Sequence, residues 1–97
     1  MKPLSVRFTP EAASLVSRLH PETKKMMRSA MDQLRKNPHL GEDLHEELSG
    51  FKSYKPRRDR ILYKLNEDEN VIDVYCVGHR RDVYDEFRLL LKELQGK

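Results

Sequence analysis

The sequence contains a single cysteine, which excludes a disulfide framework and suits a reducing compartment. No apolar run approaches membrane-spanning length and the amino terminus has no signal-peptide pattern, so a cytoplasmic location is the expectation. Internal repeats, linkers and low-complexity segments are absent as well, which leaves a single domain over residues 1–97 as the expectation. That length is near the modal domain size and sufficient for a modest core. Neither sign of charge dominates: 19 Lys and Arg against 16 Asp and Glu leave a net charge of +3. Such a balance permits an anionic partner without demanding one, and the placement of the cations is more informative. From Lys52 to Arg60 there are five cations and one acid.

Residues 59–84 organise the rest. The run DRILYKLN, then EDEN, then VIDVYCVG reads as two strands and a turn, followed by the basic HRR and a helix. Ile61, Tyr63 and Leu65 alternate with Arg60, Leu62 and Lys64, and Ile72, Val74 and Cys76 alternate with Asp73, Tyr75 and Val77. With a four-residue turn at 67–70, Asn66 faces Val71, and Ile61, Tyr63 and Leu65 face Cys76, Val74 and Ile72. The same register sets Lys64 against Asp73, an opposite-charge cross-strand pair, and Arg60 against Val77. Residues 57–59 then approach 78–80, while the acidic turn lies about 20 Å away at ~3.3 Å per residue. One end of the hairpin is cationic and the other anionic.

Upstream, residues 4–8 read as a short strand. Thr9-Pro10-Glu11 is a helix start, with a hydroxyl cap, proline at the first helical position and an acid on the positive dipole end. That helix carries Ala12, Leu15, Val16 and Leu19 and stops near His20-Pro21. A second helix over 22–36 aligns Met26, Met27, Ala30, Met31 and Leu34 in a core stripe, and Asn37-Pro38 ends it. Residues 39–50 hold histidines and acids without metal-ligand spacing, so a solvated loop pinned by Leu40, Leu44 and Leu48 is expected. A strand over 51–55 and a turn at 56–59 place Lys55 opposite Arg60 and Ser53 opposite Leu62. Cys76, in mid-strand, reads as a plain buried thiol. Asp82 then caps a helix with Val83, Phe87, Leu90, Leu91 and Leu94 on one stripe and Tyr84 in its first turn.

The order β-α-α-β-β-β-α describes a small α+β domain. Its sheet is expected to be four-stranded and mainly antiparallel, with two N-terminal helices on one face and a C-terminal helix, the helices together covering one face. The other face carries Lys55, Arg60 and Lys64, with Arg57 and Arg80 at its end. Two independent registers bring these cations to one edge without matched acids.

Several pieces recur in a known order and spacing: Pro38, the Leu44…Leu48-x-Gly50 run, Tyr54-Lys55, Arg60-Ile61-Leu62-Tyr63, Val77-Gly78-His79-Arg80 and Val83-Tyr84. In them the chain resembles, over nearly its whole length, the RelE/ParE superfamily of toxins from bacterial type II toxin–antitoxin systems. The resemblance implies the α+β fold just described. It also implies a choice between RelE-like ribosome-dependent mRNA endonucleases and ParE-like poisons of DNA gyrase. The basic and tyrosine positions of the RelE-like nucleases are occupied here by Lys55, Arg57, Arg60, Arg80 and Tyr84, which are the implied catalytic set. Lys52, Arg58, Lys64 and Arg81 are candidate substrate-binding cations. The turn before Arg60 departs from the family pattern, with Arg58-Asp59 where many members have a glycine.

The chemistry of RNA cleavage by the 2′-hydroxyl suits this set. It needs a base for that hydroxyl, cations for charge building on the phosphate, and an acid for the departing 5′-oxygen. A tyrosine is a poor base at an ordinary pKa near ~10, and neighbouring cations and a helix N-terminus act to lower such a value. Arg60 and Arg80 can fork onto phosphate oxygens, and Lys55 or Arg57 can stabilise the transition state or relay a proton. His79 is the alternative acid–base group. These residues call for no metal or other cofactor. With no strong base, much of the barrier reduction rests on positioning, which a ribosomal decoding site can supply. The implied partners are a cognate antitoxin, the ribosomal A site and mRNA, with no membrane. Two other readings stand beside this one: a ParE-like gyrase poison acting by binding, and a non-catalytic basic module with a protein partner.

Overall fold

Alternation and capping chemistry place most elements close to where the sequence suggests. The computed structural model describes residues 4–79 and 82–95, without side-chain detail at 79, 82, 94 and 95. Arg80 and Arg81 lie outside the described residues, as do the expected cap side chain of Asp82 and the stripe contribution of Leu94. In chain order the elements are β1 (Ser5–Phe8), α1 (Pro10–Ser17), α2 (Pro21–Lys36), β2 (Glu42–Asp43), a 3₁₀ turn (Glu46–Leu48), β3 (Lys52–Tyr54), β4 (Asp59–Asn66), β5 (Val71–His79) and α3 (Asp82–Gln95). Thr9 caps α1 as expected, its Oγ1 accepting the Ala12 N–H at 3.1 Å. His20 caps α2 through Nδ1, which accepts the Glu22 N–H at 3.2 Å; an imidazole takes the place of the usual hydroxyl or carboxylate.

The class is α+β, but the sheet differs in detail from the four-stranded expectation. Five strands run in the order β1-β5-β4-β3-β2, with β1 parallel to β5 and the other pairs antiparallel. The extra strand is β2, inside the acidic segment expected to be a solvated loop. It pairs Glu42 with Ser53 and Asp43 with Lys52. Charge holds it there: Lys52 Nζ lies 2.6 Å from Asp43 Oδ1 and Lys55 Nζ lies 3.2 Å from Glu42 Oε2. Leu48 pins the segment as expected and Leu44 packs beside it, but Leu40 is exposed and pins nothing.

The β3–β4 register agrees with the expected one, Ser53 opposite Leu62 and Tyr54 opposite Ile61. The β4–β5 register agrees only from the turn as far as Tyr63, which faces Val74. A bulge follows, so Leu62 faces Cys76, Ile61 faces Val77 and Arg60 faces Gly78, where the expected partners of Ile61 and Arg60 were Cys76 and Val77. One extra residue reverses the in–out sense of the rest of β5. Cys76 therefore leaves the first core and Val77 enters it.

Two cores result, one on each face of the sheet. The first sets Ala12 of α1 and Met27, Ala30, Met31 and Leu34 of α2 against Ile61, Tyr63, Ile72, Val74 and Val77. The second sets Val83 and Phe87 of α3, with Leu48, against Leu62 and Cys76. The helices thus do not share one face: α3 covers the face opposite α2, because the bulge turns Cys76 toward it. Each fully buried Leu, Ile or Phe contributes about 1.5–3 kcal/mol. Phe51 seals the outer margin of the second core, edge-on to Phe87 at 4.9 Å and to Tyr75 at 5.0 Å. Among the described residues no helix is long and apolar enough to cross a membrane.

Candidate functional site

The site grows from the junction of β5 and α3. Gly78, opposite Arg60, lets α3 start close to the sheet: a Cβ there would come within 3.1 Å of Val83 Cγ2. The first turn of α3 then carries Tyr84 over β3, where its hydroxyl meets Ser53 Oγ at 2.9 Å. Ser53 is 1% exposed, and its strand neighbours on either side, Glu42 and Leu62, are both in the ladder. Tyr84 is half-buried, one side against the second core and its polar tip toward the β3–β4 end of the sheet.

Arg60 lies on the same face, because it alternates with Ile61 of the first core and precedes Leu62 of the second by two residues. It is half-buried; Nη1 donates to the Asp59 carbonyl at 2.9 Å. Its Nε is buried and has no hydrogen-bond partner among the described residues. A buried unpaired donor costs on the order of 1–3 kcal/mol, more when charged, so this guanidinium is kept at a cost to stability. Asp59, beside it, is 8% exposed.

The other expected cations are distributed unevenly. Lys55 is exposed, two residues past Ser53 on the same face, and its ammonium is held by Glu42. Arg57 sits at the tip of the β3–β4 turn with φ +59°, a left-handed conformation that re-aims the chain where the missing glycine would have served, and Arg58 beside it is exposed. Lys52 faces the other side, opposite Tyr63 in the ladder, and its ion pair holds the Asp43 carboxyl below the usual carboxylate range. Lys64 is not brought to Arg60. Four residues along β4 separate them, about 13 Å at ~3.3 Å per residue. Lys64 instead lies 5.4 Å above the Phe51 ring. Its cross-strand neighbour Asp73 binds Arg7 at 2.6 Å. His79 ends β5 opposite Asp59, but its side chain, like Arg80 and Arg81, lies outside the described residues.

The structure therefore gathers Tyr84, Arg60 and Lys55 on one face with Arg57 at its edge, and separates Lys64 and Lys52 from them. Sequence reasoning missed Ser53, Glu42 and Asp43. Ser53 had a faint signal: its register partner is Leu62, an apolar residue on the face that otherwise carries Lys55, Arg60 and Lys64. Together the group presents a fixed phenol, a half-buried guanidinium and an exposed ammonium group, which is chemistry for an anionic, phosphate-bearing ligand.

Residues 6–88 match the family model described as ParE-like toxin of type II bacterial toxin–antitoxin systems. The chain belongs to this family. The ParE-like toxin is 30% identical over 84 residues to toxin RelG of Mycobacterium tuberculosis, a match spanning 84% of this chain and 97% of the relative. Among solved structures, a RelBE toxin–antitoxin complex from Mycobacterium tuberculosis matches with a TM-score of 0.76 and 28% identity, covering 81% of this chain and all of that one. A doubly substituted mutant of the E. coli RelE toxin in the free state matches with a TM-score of 0.72, covering 88% of this chain and 94% of that one; at 17% identity it supports the fold alone. The site described above is thus carried on the RelE/ParE scaffold of a toxin from a toxin–antitoxin module.

Proposed function

We propose that this toxin is a ribosome-dependent mRNA endonuclease that blocks translation in the cytoplasm. The observation that carries the reading is the shared face of Tyr84, its hydroxyl fixed at 2.9 Å from Ser53, and Arg60, a half-buried guanidinium kept there although its Nε has no partner among the described residues. A phenol held in one place and a half-buried guanidinium on the same face suit a base and an oxyanion stabiliser better than they suit a docking surface. In the proposed step the 2′-oxygen attacks the adjacent phosphorus while its proton passes to the Tyr84 phenolate. The bond from phosphorus to the 5′-oxygen breaks, and that oxygen takes a proton from Lys55. The products are a 2′,3′-cyclic phosphate and a 5′-hydroxyl; Tyr84 then returns its proton to solvent and Lys55 recovers one. Arg60, with Arg57 and Arg80, balances the charge that grows on the phosphate, and Arg58 and Arg81 add attraction for the RNA.

A cognate antitoxin is the second partner in this reading, since relatives from Mycobacterium tuberculosis and E. coli are solved as RelBE toxin–antitoxin complexes. It covers the basic face, and a segment of it competes for the seat of α3. That helix docks mainly through Val83 and Phe87, with Leu90 and Leu91 only half-buried and Leu89 63% exposed, a modest anchorage for fourteen residues.

The test is induced expression in a bacterium, followed by mapping of new mRNA 5′ ends and scoring of gyrase-linked DNA breaks. Cuts confined to translated mRNA are expected. DNA breaks without mRNA cuts would select the gyrase reading, which the ParE-like family description keeps as the rival.

A further inference from the structure

Ser53 occupies a core position with a polar side chain. Its ladder partner Leu62 belongs to the second core together with Leu48, Cys76, Val83 and Phe87, and the serine itself is 1% exposed. A hydroxyl buried among such groups is costly unless it is hydrogen-bonded, and the bond it makes is to Tyr84. Because β3 is paired on both sides, the serine backbone is fixed and only its hydroxyl can turn. Tyr84, by contrast, stands in the first turn of a helix with one side of its ring against the second core, and the bond to Ser53 fixes its polar tip.

We propose that Ser53 is the positioning residue for Tyr84, holding the phenol oxygen where the 2′-hydroxyl must meet it; this rests on the nuclease reading above. Hydrogen-bond chemistry sets the direction. A protonated Tyr84 can donate to Ser53 or accept from it, but a phenolate can only accept, so in the reactive form the serine donates. One lone pair of the phenolate is then taken by Ser53 and a remaining one faces the incoming 2′-hydroxyl. The same donation stabilises the charge that makes the tyrosine a base. Once the proton arrives from the 2′-oxygen, the phenol can donate back to Ser53 or release the proton to solvent, and no group is left unpaired through the cycle.

The test is a double-mutant cycle on single-turnover cleavage of ribosome-bound mRNA, with toxin-saturated ribosomes. Ser53→Ala is expected to slow cleavage about tenfold to a hundredfold, the range for a misplaced reacting group, while ribosome affinity holds. In the Tyr84→Phe background Ser53→Ala should add no further loss, because there is no phenol left to hold. The Tyr84 ζ-carbon resonance, which responds to hydrogen bonding at the phenol oxygen, should move in Ser53→Ala. Wild-type cleavage by Ser53→Ala, an equal loss in both backgrounds, or an unmoved resonance each overturns the assignment while leaving the nuclease reading standing. A wild-type protein that cuts no ribosome-bound mRNA overturns the nuclease reading and the role of Ser53 in cleavage with it.

Discussion

The two faces of the sheet are built to different standards. On the α2 face, burial is nearly complete and the fully buried tyrosine is satisfied. Tyr63 is 0% exposed, donates to the Pro38 carbonyl at 2.7 Å and accepts the Gly41 N–H at 3.1 Å. Burial raises its pKa above the ordinary tyrosine range, the Gly41 N–H offsetting part of that, so the phenol stays neutral. On the α3 face the core is smaller, a tyrosine is left half-buried, and an arginine keeps a buried N–H without a partner among the described residues. The same residue type thus serves stability on one face and, in the proposed reading, chemistry on the other. Unfinished hydrogen bonding marks the face where function is expected.

The comparison is most exposed to the two tyrosines. Tyr84→Phe should slow single-turnover cleavage about 10²–10⁴-fold, the usual range for an acid–base group, and cost about 1–3 kcal/mol because the buried Ser53 hydroxyl loses its partner. Tyr63→Phe should leave cleavage near wild type at a similar cost of about 1–3 kcal/mol, because the Gly41 N–H loses its acceptor. Denaturant unfolding alongside the cleavage assay reads both; equal cleavage rates for the two variants would erase the distinction between the faces. Core truncation sharpens it. Leu34→Ala should cost about 2–5 kcal/mol and leave the rate per folded molecule intact, whereas Phe87→Ala, at about 3–5 kcal/mol, should also misplace Tyr84 and lower that rate. A smaller effect separates the lysines. Lys55→Ala should reduce the slope of log ribosome affinity against log salt by about 0.7–0.9, and Lys64→Ala, on the far side of Phe51, should leave it unchanged.

The smallest expected effect concerns Cys76, whose thiol is pushed up to about 12, first by burial and then by the charge of Glu86. Its folded value lies above the unfolded ~8.5, so its contribution to stability is full below that pH and is lost as pH rises toward 12. At pH 8 a thiol reagent should modify it only as fast as the protein opens. Rapid modification of the native protein would show that the second core is looser than described.

Much of the architecture was legible because strict alternation leaves a strand one register. Lys64 against Asp73 and Ser53 against Leu62 were both readable before any coordinates. The bulge was not. Tyr75, Cys76 and Val77 are all acceptable on either face, so alternation has nothing to choose between, and the side on which α3 packs depends on that choice. Nor was β2, since Glu42 and Asp43 are poor strand formers that pair only because Lys55 and Lys52 face them across the edge. Of the candidate site, the shared face of Arg60 and Lys55 was legible from register parity, whereas Tyr84 came in through the family resemblance. Lys64 shares that face by parity, but a shared face says nothing about the hydrophobic residues, Leu62 and Phe87, that divide it from Arg60. Ser53 lay in plain view as a register partner, but its bond to Tyr84 depends on where α3 begins.

The central claim is that Arg60 is retained for chemistry at a cost to the fold. Arg60→Met, which keeps the length of the side chain and removes the unpaired N–H, tests it most directly. Single-turnover cleavage on saturated ribosomes and the melting temperature are measured on the same preparation. Cleavage should fall at least about a hundredfold, the scale for losing one preorganised oxyanion donor, while the melting temperature holds or rises. A variant that melts earlier yet cleaves at the wild-type rate would contradict the claim, because Arg60 would then be holding the second face together and not the phosphate.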